Sequence, residues 1–528
     1  MFDVASGQHK GRVLRAFRAW LADLSGRRAY RRYRDREDRS RRIRAQVMAV
    51  AGGVATLVYF GWLLTVLNLQ VWWLAVPFII AELVALGVYA SFFAVSWYPR
   101  YHRPEGVPVE SSVYTVDVLV TTCGEPYQVV ARTLREAVAI DYEKKRVWIL
   151  DDKADSRLEK LARELGCGYL ARPTREHAKA GNLNYGLAHT TGDLVLTLDA
   201  DQVPDRRIIR SLVGYFDLPY VGFVQTKQRF DVPDGDPFSN SDPIFYDLMQ
   251  SGKDGSNAAF SCGSGVMYRR DALKQIRGFS TWNLVEDVHT SLKLHDAGWR
   301  SIYHNHPLTI GTAPANIWDV YKQRYQWAAD SLRLFFWDDP FSRRGLSAMQ
   351  RLQYAHLGIV YLFAGFVMPF FYVLPIVSLF TASYVLNTTV AAYLAFRLPS
   401  LVLTHLAYRF QFAAAGSSVG FGRAGNVWLG YFPTFIAATF TALRTRTRRP
   451  RYTVTPKGTT RPSRTPGLLG IAPQGALILA SLAAIPYGAW MHLGANPDLF
   501  LLSSAWSLWT VQKLWPLCWA VLRSSRAR

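Results

Sequence analysis

The sequence predicts an α/β domain, built on a mixed, mainly parallel sheet, inserted between blocks of α-helical transmembrane segments. Three observations predict this. The 528 residues are 50% hydrophobic and 14% aromatic yet 19% charged, too apolar for an ordinary water-soluble chain and too charged for one that is all membrane. Long apolar runs collect at both ends, while most acidic residues fall between Val107 and Asp339. Inside that interval, short apolar runs alternate with helical patterns.

Residues 1–46 form a basic segment in which Arg27, Arg28, Arg31, Arg32, Arg34, Arg36, Arg39, Arg41, Arg42 and Arg44 precede the first apolar run. The positive-inside rule places them in the cytoplasm, and there is no signal-peptide cleavage pattern. The runs 47–67 and 72–97 each exceed the roughly twenty apolar residues that span a bilayer, so 47–98 reads as a transmembrane hairpin and 99–340 as a cytoplasmic domain. Residues 341–443 hold two further spans, near 352–382 and 385–408, and a shorter run, 427–443, that contains Pro433 and reads as an interface helix. The basic loop 444–465 should again be cytoplasmic, and 466–528 closes the chain as a transmembrane hairpin. The count is six spans, or eight if 352–382 splits at Pro369 or Pro375. The net charge of +22 reads as topology and contact with the lipid bilayer; basic and aromatic residues do not interleave as a nucleic-acid platform requires. Cys123, Cys167, Cys262 and Cys518 lack metal-type spacing and read as reduced thiols.

Within the domain, 116–121, 146–151, 168–171, 193–199 and 220–225 read as buried strands, with helices at 127–140, 155–165 and 179–189. Strands alternating with helices imply a mainly parallel sheet covered on both faces. Ligands bind outside the carboxyl ends of such strands, where Asp151-Asp152 and Asp199-Ala200-Asp201 fall. Two carboxylates in an Asp-X-Asp strand end face the same side. They suit a divalent cation that neutralises the diphosphate leaving group of a nucleotide-sugar donor. Asp287, beside Glu286, is the candidate base for an attacking hydroxyl; a helix N-cap there is the alternative, and both can hold.

The segments Val118 through Pro126, Leu150-Asp151-Asp152, His177 through Asn184, Leu198-Asp199-Ala200-Asp201, Val224-Gln225-Thr226, Phe260 through Ser264, Val285-Glu286-Asp287 and Gln323 through Trp327, with Val454 through Gly458 after the basic run, resemble the processive family 2 glycosyltransferases of the cellulose synthase and curdlan synthase type. The resemblance implies a nucleotide-sugar-binding glycosyltransferase A-type domain. Thr121, Glu125 and Asp152 would hold the uridine and Lys179 would contact the donor. Asp199 and Asp201 would bind donor and Mg²⁺ or Mn²⁺, with Asp201 the direct metal ligand. Asp287 and Glu286 would be catalytic, and Gln323 would touch the diphosphate. Thr455 and Lys457 would belong to a gating loop over the donor, while Trp327, Cys262 and Gly263 would meet the acceptor. The implied activity is inverting, processive β-glucan synthesis from UDP-glucose on the cytoplasmic side, with export of the growing polysaccharide through the protein's own helices, lined by aromatic residues such as Tyr361, Phe371, Trp506 and Trp509, and a periplasmic or cell-wall partner beyond.

The sequence departs from that pattern at Gln326, where the family motif has arginine, and at Cys123-Gly124 in the uridine pocket. The chain also ends soon after its last span, without room for a PilZ-type regulatory barrel, which fits a curdlan-like product as well as a cellulose-like one. Polymerisation of another UDP-sugar, transfer of a single sugar to a lipid and an inactive scaffold are the competing readings.

Overall fold

The structure is a computed structural model that describes residues 36–98, 113–232, 234–283, 286–414, 421–447 and 467–526. The N-terminal arginines before Arg36, the segment 99–112, and the loop that carries Thr455 and Lys457 lie outside the described residues.

Two helices come first, α1 (Arg36–Thr65) and α2 (Trp72–Val95). The domain follows as β1 (Val116–Thr122), α3 (Tyr127–Val138), β2 (Lys145–Asp151), α4 (Ser156–Glu164), β3 (Gly168–Leu170), α5 (Ala178–His189), β4 (Leu194–Asp199), β5 (Val203–Pro204), α6 (Ile208–Val213), β6 (Val221–Asp231), α7 (Gln250–Gly255), β7 (Val266–Arg269), α8 (Arg270–Gln275), α9 (Asp287–Asp296), β8 (Arg300–Thr312) and α10 (Ile317–Arg333). The eight strands form one sheet in the order β3-β2-β1-β4-β7-β6-β8-β5. β3, β2, β1 and β4 run parallel, and antiparallel β7 joins them to the parallel pair β6 and β8.

The apolar runs become strands because both faces of the sheet are covered. In β1, Val116, Val118 and Val120 enter one core with Leu194, Leu196 and Leu198 of β4, while Leu119 and Val195 enter the core on the opposite face. This is the period-two alternation of a strand with no solvent face. The register then aligns the polar ends: Thr121 pairs with Asp199 and Thr122 with Asp151. A buried ion pair fixes the other end, where Asp117 lies 2.6 Å from Arg270 and also accepts from the Trp148 indole at 3.1 Å and the Gly192 amide at 2.5 Å.

After the domain come α11 (Ala348–Leu362), α12 (Met368–Thr381), α13 (Val390–Ala414), α14 (Phe421–Leu429), α15 (Phe432–Arg444), α16 (Gly467–Gly470), α17 (Ala472–His492) and α18 (Pro497–Arg526). Among the described residues, five helices are long and apolar enough to cross a membrane: Arg39–Thr65, Leu69–Val95, Ala348–Thr381, Val390–Ala413 and Ala472–His492. Their outer faces carry exposed Leu57, Leu64, Trp72, Leu479 and Trp490, the surface of a multi-pass membrane protein. The alternative that splits 352–382 into two spans is not what forms. A π-helical turn, Phe363–Val367, precedes Pro369 near the start of α12, and the helix runs on as one piece, since a widened turn tolerates the amide that proline lacks.

Helix α10 belongs to both parts. Ile317, Val320, Ala328, Ala329 and Leu332 lie in the same core as Phe78, Tyr372, Phe435 and Leu514 of the membrane helices.

Candidate active site

At the carboxyl edge of the sheet, Lys179, on the first turn of α5, reaches the end of β4. Its Nζ lies 2.7 Å from Asp199 Oδ1 and 3.0 Å from Glu286 Oε1, and it donates to the Gly263 carbonyl at 2.9 Å. Burial opposes this ammonium, but Asp199 and Glu286 outweigh burial and hold its pKa well above the ordinary lysine value. Asp287 is the first residue of α9, and its Oδ1 accepts from the Val288 amide at 2.7 Å. Burial first, and then the Glu286 charge, push the Asp287 carboxyl up to about 8, against the lowering influence of Lys179. Of the two acidic residues at this helix start, Glu286 is the N-cap residue by position but gives no side-chain cap, because its carboxylate is spent on Lys179.

The loop 260–264 presses against this cluster. Gly263 has φ +80°, and a Cβ there would lie 2.9 Å from Lys179 Nζ and 3.3 Å from Asp287 Oδ2, so only glycine allows this approach. Two glutamines of β6 hold the loop in place. Gln225 Oε1 accepts from the Cys262 amide at 2.6 Å and its Nε2 donates to the Ser264 carbonyl at 3.0 Å, while Gln228 Nε2 donates to the Cys262 and Ser264 carbonyls at 3.1 and 2.9 Å. Ser264 Oγ returns to accept from the Asp199 amide at 2.9 Å. The Cys262 thiol accepts from Gln250 at 3.3 Å and burial keeps it protonated. Among the described residues all four cysteines are free thiols.

Past the carboxyl end of β2, Asp152 is clasped by Arg172, whose Nε and Nη2 donate to its two oxygens at 2.6 and 2.8 Å. Glu125 closes the turn after β1 by accepting from the Cys123 amide and the Thr122 hydroxyl, both at 2.7 Å. The Thr121 hydroxyl donates to the Leu198 carbonyl at 3.3 Å. Burial, with Glu125 and Asp152 adding to it, pushes the Cys123 thiol up to about 12, so it stays neutral in this pocket.

Asp201 is buried, with Oδ2 accepting from the Thr312 amide at 3.1 Å. Among the described residues no group of three or more His, Cys, Asp or Glu side chains could hold a metal ion unaided. The Asp199 carboxylate, the Glu286 carboxylate and the Gly263 carbonyl nevertheless surround a cation already, the Lys179 ammonium. The carboxylates of Asp199, at the end of β4, and of Asp201, two residues on, are the hard oxygen ligands that suit Mg²⁺ or Mn²⁺ once donor phosphate oxygens and water complete the shell.

Gln323 and Trp327 both lie on helix α10, which is tied to the loop before Glu286. Asn283, in the loop before Glu286, donates to the Asp330 carbonyl at 3.2 Å. The Arg324 guanidinium stacks on the Trp327 ring at 4.6 Å and bonds Asp242 at 2.8 Å. Arg324 is therefore committed elsewhere and does not take the place of the arginine absent at Gln326, which is itself buried. Arg333, with no exposed surface, donates to the Trp282 carbonyl at 3.0 Å, to Asn283 Oδ1 at 2.9 Å and to the Thr445 carbonyl at 3.1 Å.

Residue patterning alone did not single out Arg172, Gln225, Gln228 or Ser264. Arg172 follows the end of β3 and so lies where the carboxyl-end rule looks. The two glutamines act through the backbone of a distant loop, for which no local signal exists.

Residues 115–329 match the family model described as Glycosyltransferase like family 2, and residues 275–410 match the Cellulose synthase model. Cellulose synthase 1 of Komagataeibacter xylinus is 32% identical over 495 residues, covering 88% of this chain and 31% of that protein. The cellulose synthase catalytic subunit (UDP-forming) of Pseudomonas fluorescens SBW25 is 32% identical over 383 residues, 69% of this chain and 51% of that protein. The chain thus spans 31% of the length of the first of these relatives and 51% of the second. Among solved structures, the mannosyltransferase PcManGT from Pyrobaculum calidifontis, in complex with GDP-Man and Mn²⁺, aligns with a TM-score of 0.49 at 18% identity over 70% of this chain and 98% of that chain. With two family models meeting on the domain that carries the charged cluster, that domain is a cellulose synthase-like glycosyltransferase domain of family 2.

Proposed function

We propose that this protein is a processive, inverting β-glucan synthase that uses UDP-glucose on the cytoplasmic face and passes its product through its own membrane helices. One observation carries the reading. Helix α10, which carries Gln323 and Trp327, accepts at its Asp330 carbonyl from Asn283 of the loop before Glu286, while its Ile317, Val320, Ala328, Ala329 and Leu332 pack in the membrane-helix core, so the same helix ties the charged site to the bundle.

In this reading Thr121, Glu125 and Asp152 form the uridine pocket, with Arg172 fixing Asp152. Asp199 and Asp201 would hold a divalent cation, which when bound would supply positive charge against the leaving diphosphate. Lys179 releases part of its contact with Asp199 and takes up a donor oxygen. Gln323 donates a hydrogen bond to the diphosphate. The acceptor hydroxyl enters over the Gly263 notch and gives its proton to Asp287 as its oxygen bonds to the anomeric carbon and the sugar–phosphate bond breaks on the opposite side. That geometry inverts the linkage. Trp327 stacks on the terminal sugar, a contact that grips a ring yet lets it slide. Thr455 and Lys457, by the resemblance of their motif, would contact the donor.

The bundle supports an export path. Trp506 packs at 6.0 Å from Phe371 and Trp509 at 6.0 Å from Tyr372, while Tyr361 lies 5.1 Å from Phe435. Within the membrane helices the Tyr372, Ser481, Ser504 and Ser507 hydroxyls are buried without a hydrogen-bond partner. Orphaned hydroxyls inside a membrane bundle are costly, and the hydroxyls of a passing sugar chain would satisfy them.

The test is incorporation from labelled UDP-glucose by the purified protein in lipid vesicles with Mg²⁺ or Mn²⁺, followed by β-1,4- and β-1,3-specific glucanases. High-mass polymer cut by one of the two enzymes is the expected result. Low-mass lipid-linked product, or polymer only from another UDP-sugar, overturns the glucan assignment.

A further inference from the structure

We propose that the groove between α13 and α18 is a binding site for an anionic phospholipid of the leaflet on the catalytic-domain side. The groove encloses about 1270 Å³ and is lined by Leu401, His405 and Tyr408 of α13, Arg423 of α14, and Leu508, Lys513 and Trp515 of α18. It exceeds the roughly 300–1,000 Å³ of a small-molecule pocket, and Leu401, Leu508 and Trp515 are exposed in it.

Depth sorts its chemistry. The Val390 amide donates to Asp498 at 3.0 Å, which puts the starts of α13 and α18 level. That end is distal to the catalytic domain, since Leu386 bridges Leu67 at the turn of the first hairpin. At a 1.5 Å rise per residue, Leu401 and Leu508 both lie about 16 Å from that end, and His405 and Lys513 about 22–24 Å from it. Arg423 donates to the Gly235 carbonyl of the catalytic domain at 2.6 Å, which sets it on that domain's side. Apolar walls therefore stand near the middle of the roughly 30 Å hydrocarbon core, Lys513 starts about 6 Å short of its catalytic-domain edge, within reach of a lysine side chain that extends toward the headgroups, and Arg423 lies beyond it on the domain's side. Lys513 is steadied there by Asn426 at 3.1 Å and by the Trp509 ring at 5.6 Å. Basic pockets between membrane helices recognise anionic headgroups.

The full chain is purified in mild detergent and supplied with equal phosphatidylglycerol and phosphatidylcholine of matched acyl chains, and the retained lipids are counted by native mass spectrometry. Wild type should retain the anionic lipid at least fivefold over the neutral one. Arg423→Gln with Lys513→Gln should bring that ratio near one, and Lys513→Gln alone should lower it if the double variant does not fold. Leu508→Trp, which keeps the charges and fills the apolar part, should reduce total bound lipid. A wild-type ratio near one overturns the proposal, as does a ratio unchanged in the charge variants. Photo-crosslinking from position 508 to a co-purified polypeptide instead of lipid also overturns it.

Discussion

At the scale of single residues, the state of Asp287 decides whether the site works as a base. Burial has lifted its carboxyl to about 8, and a base must be ionised to accept a proton. The pH profile of kcat/KM should therefore rise through a limb near pH 8, far above the ordinary carboxylate range. Lys179 opposes the lift, so Lys179→Met should move the limb higher still. Asp287→Asn should cut turnover by about 10²–10⁴-fold with the protein still folded. A limb near pH 4 in wild type would contradict the buried-base picture. The stability consequence has the opposite sign. Between the unfolded value of about 4 and the folded one, the folded state holds a proton that the unfolded chain has released, so stability falls across that window as pH rises. Asp287→Asn should remove that fall in thermal melts.

At the scale of elements, the buried pair of Asp117 and Arg270 joins the start of β1 to α8 and to the turn before β4. Removing one partner strands a buried charge, so Asp117→Ala should lower stability by about 3–5 kcal/mol, read as a loss of melting temperature in detergent. The parallel half of this sheet was legible in the sequence because β1 and β4 are buried on both faces and read as unbroken apolar runs. β7 has only four residues, and β8 is interrupted by His304, Asn305, His306 and Pro307; neither shows the period that marks a strand. β6 continues past Gln225 to Asp231, where Lys227 and Arg229 break its apolar run. Asp152, Asp199, Asp201 and Asp287 stood out because carboxylates at strand and helix ends are local signals. The partners that give them their state, Arg172 on Asp152 and Lys179 bridging Asp199 to Glu286, come from elements brought together only by folding.

At the scale of the whole molecule, Arg333 is the tie between the loop before Glu286, helix α10 and the end of α15. It has no exposed surface and three main-chain or side-chain acceptors. Arg333→Ala should cost about 3 kcal/mol or more, as expected for lost charged hydrogen bonds that leave acceptors unpaired, and should lower turnover together with melting temperature. A variant with native stability and full turnover would show the tie to be dispensable. Helix α10 has a wider consequence. Because one rod is tied to the loop before Glu286 and packed in the membrane-helix core, the proposed function would have sugar addition and bilayer entry at a fixed spacing. A nascent strand would then have no free interval in which to fold back or meet a neighbour.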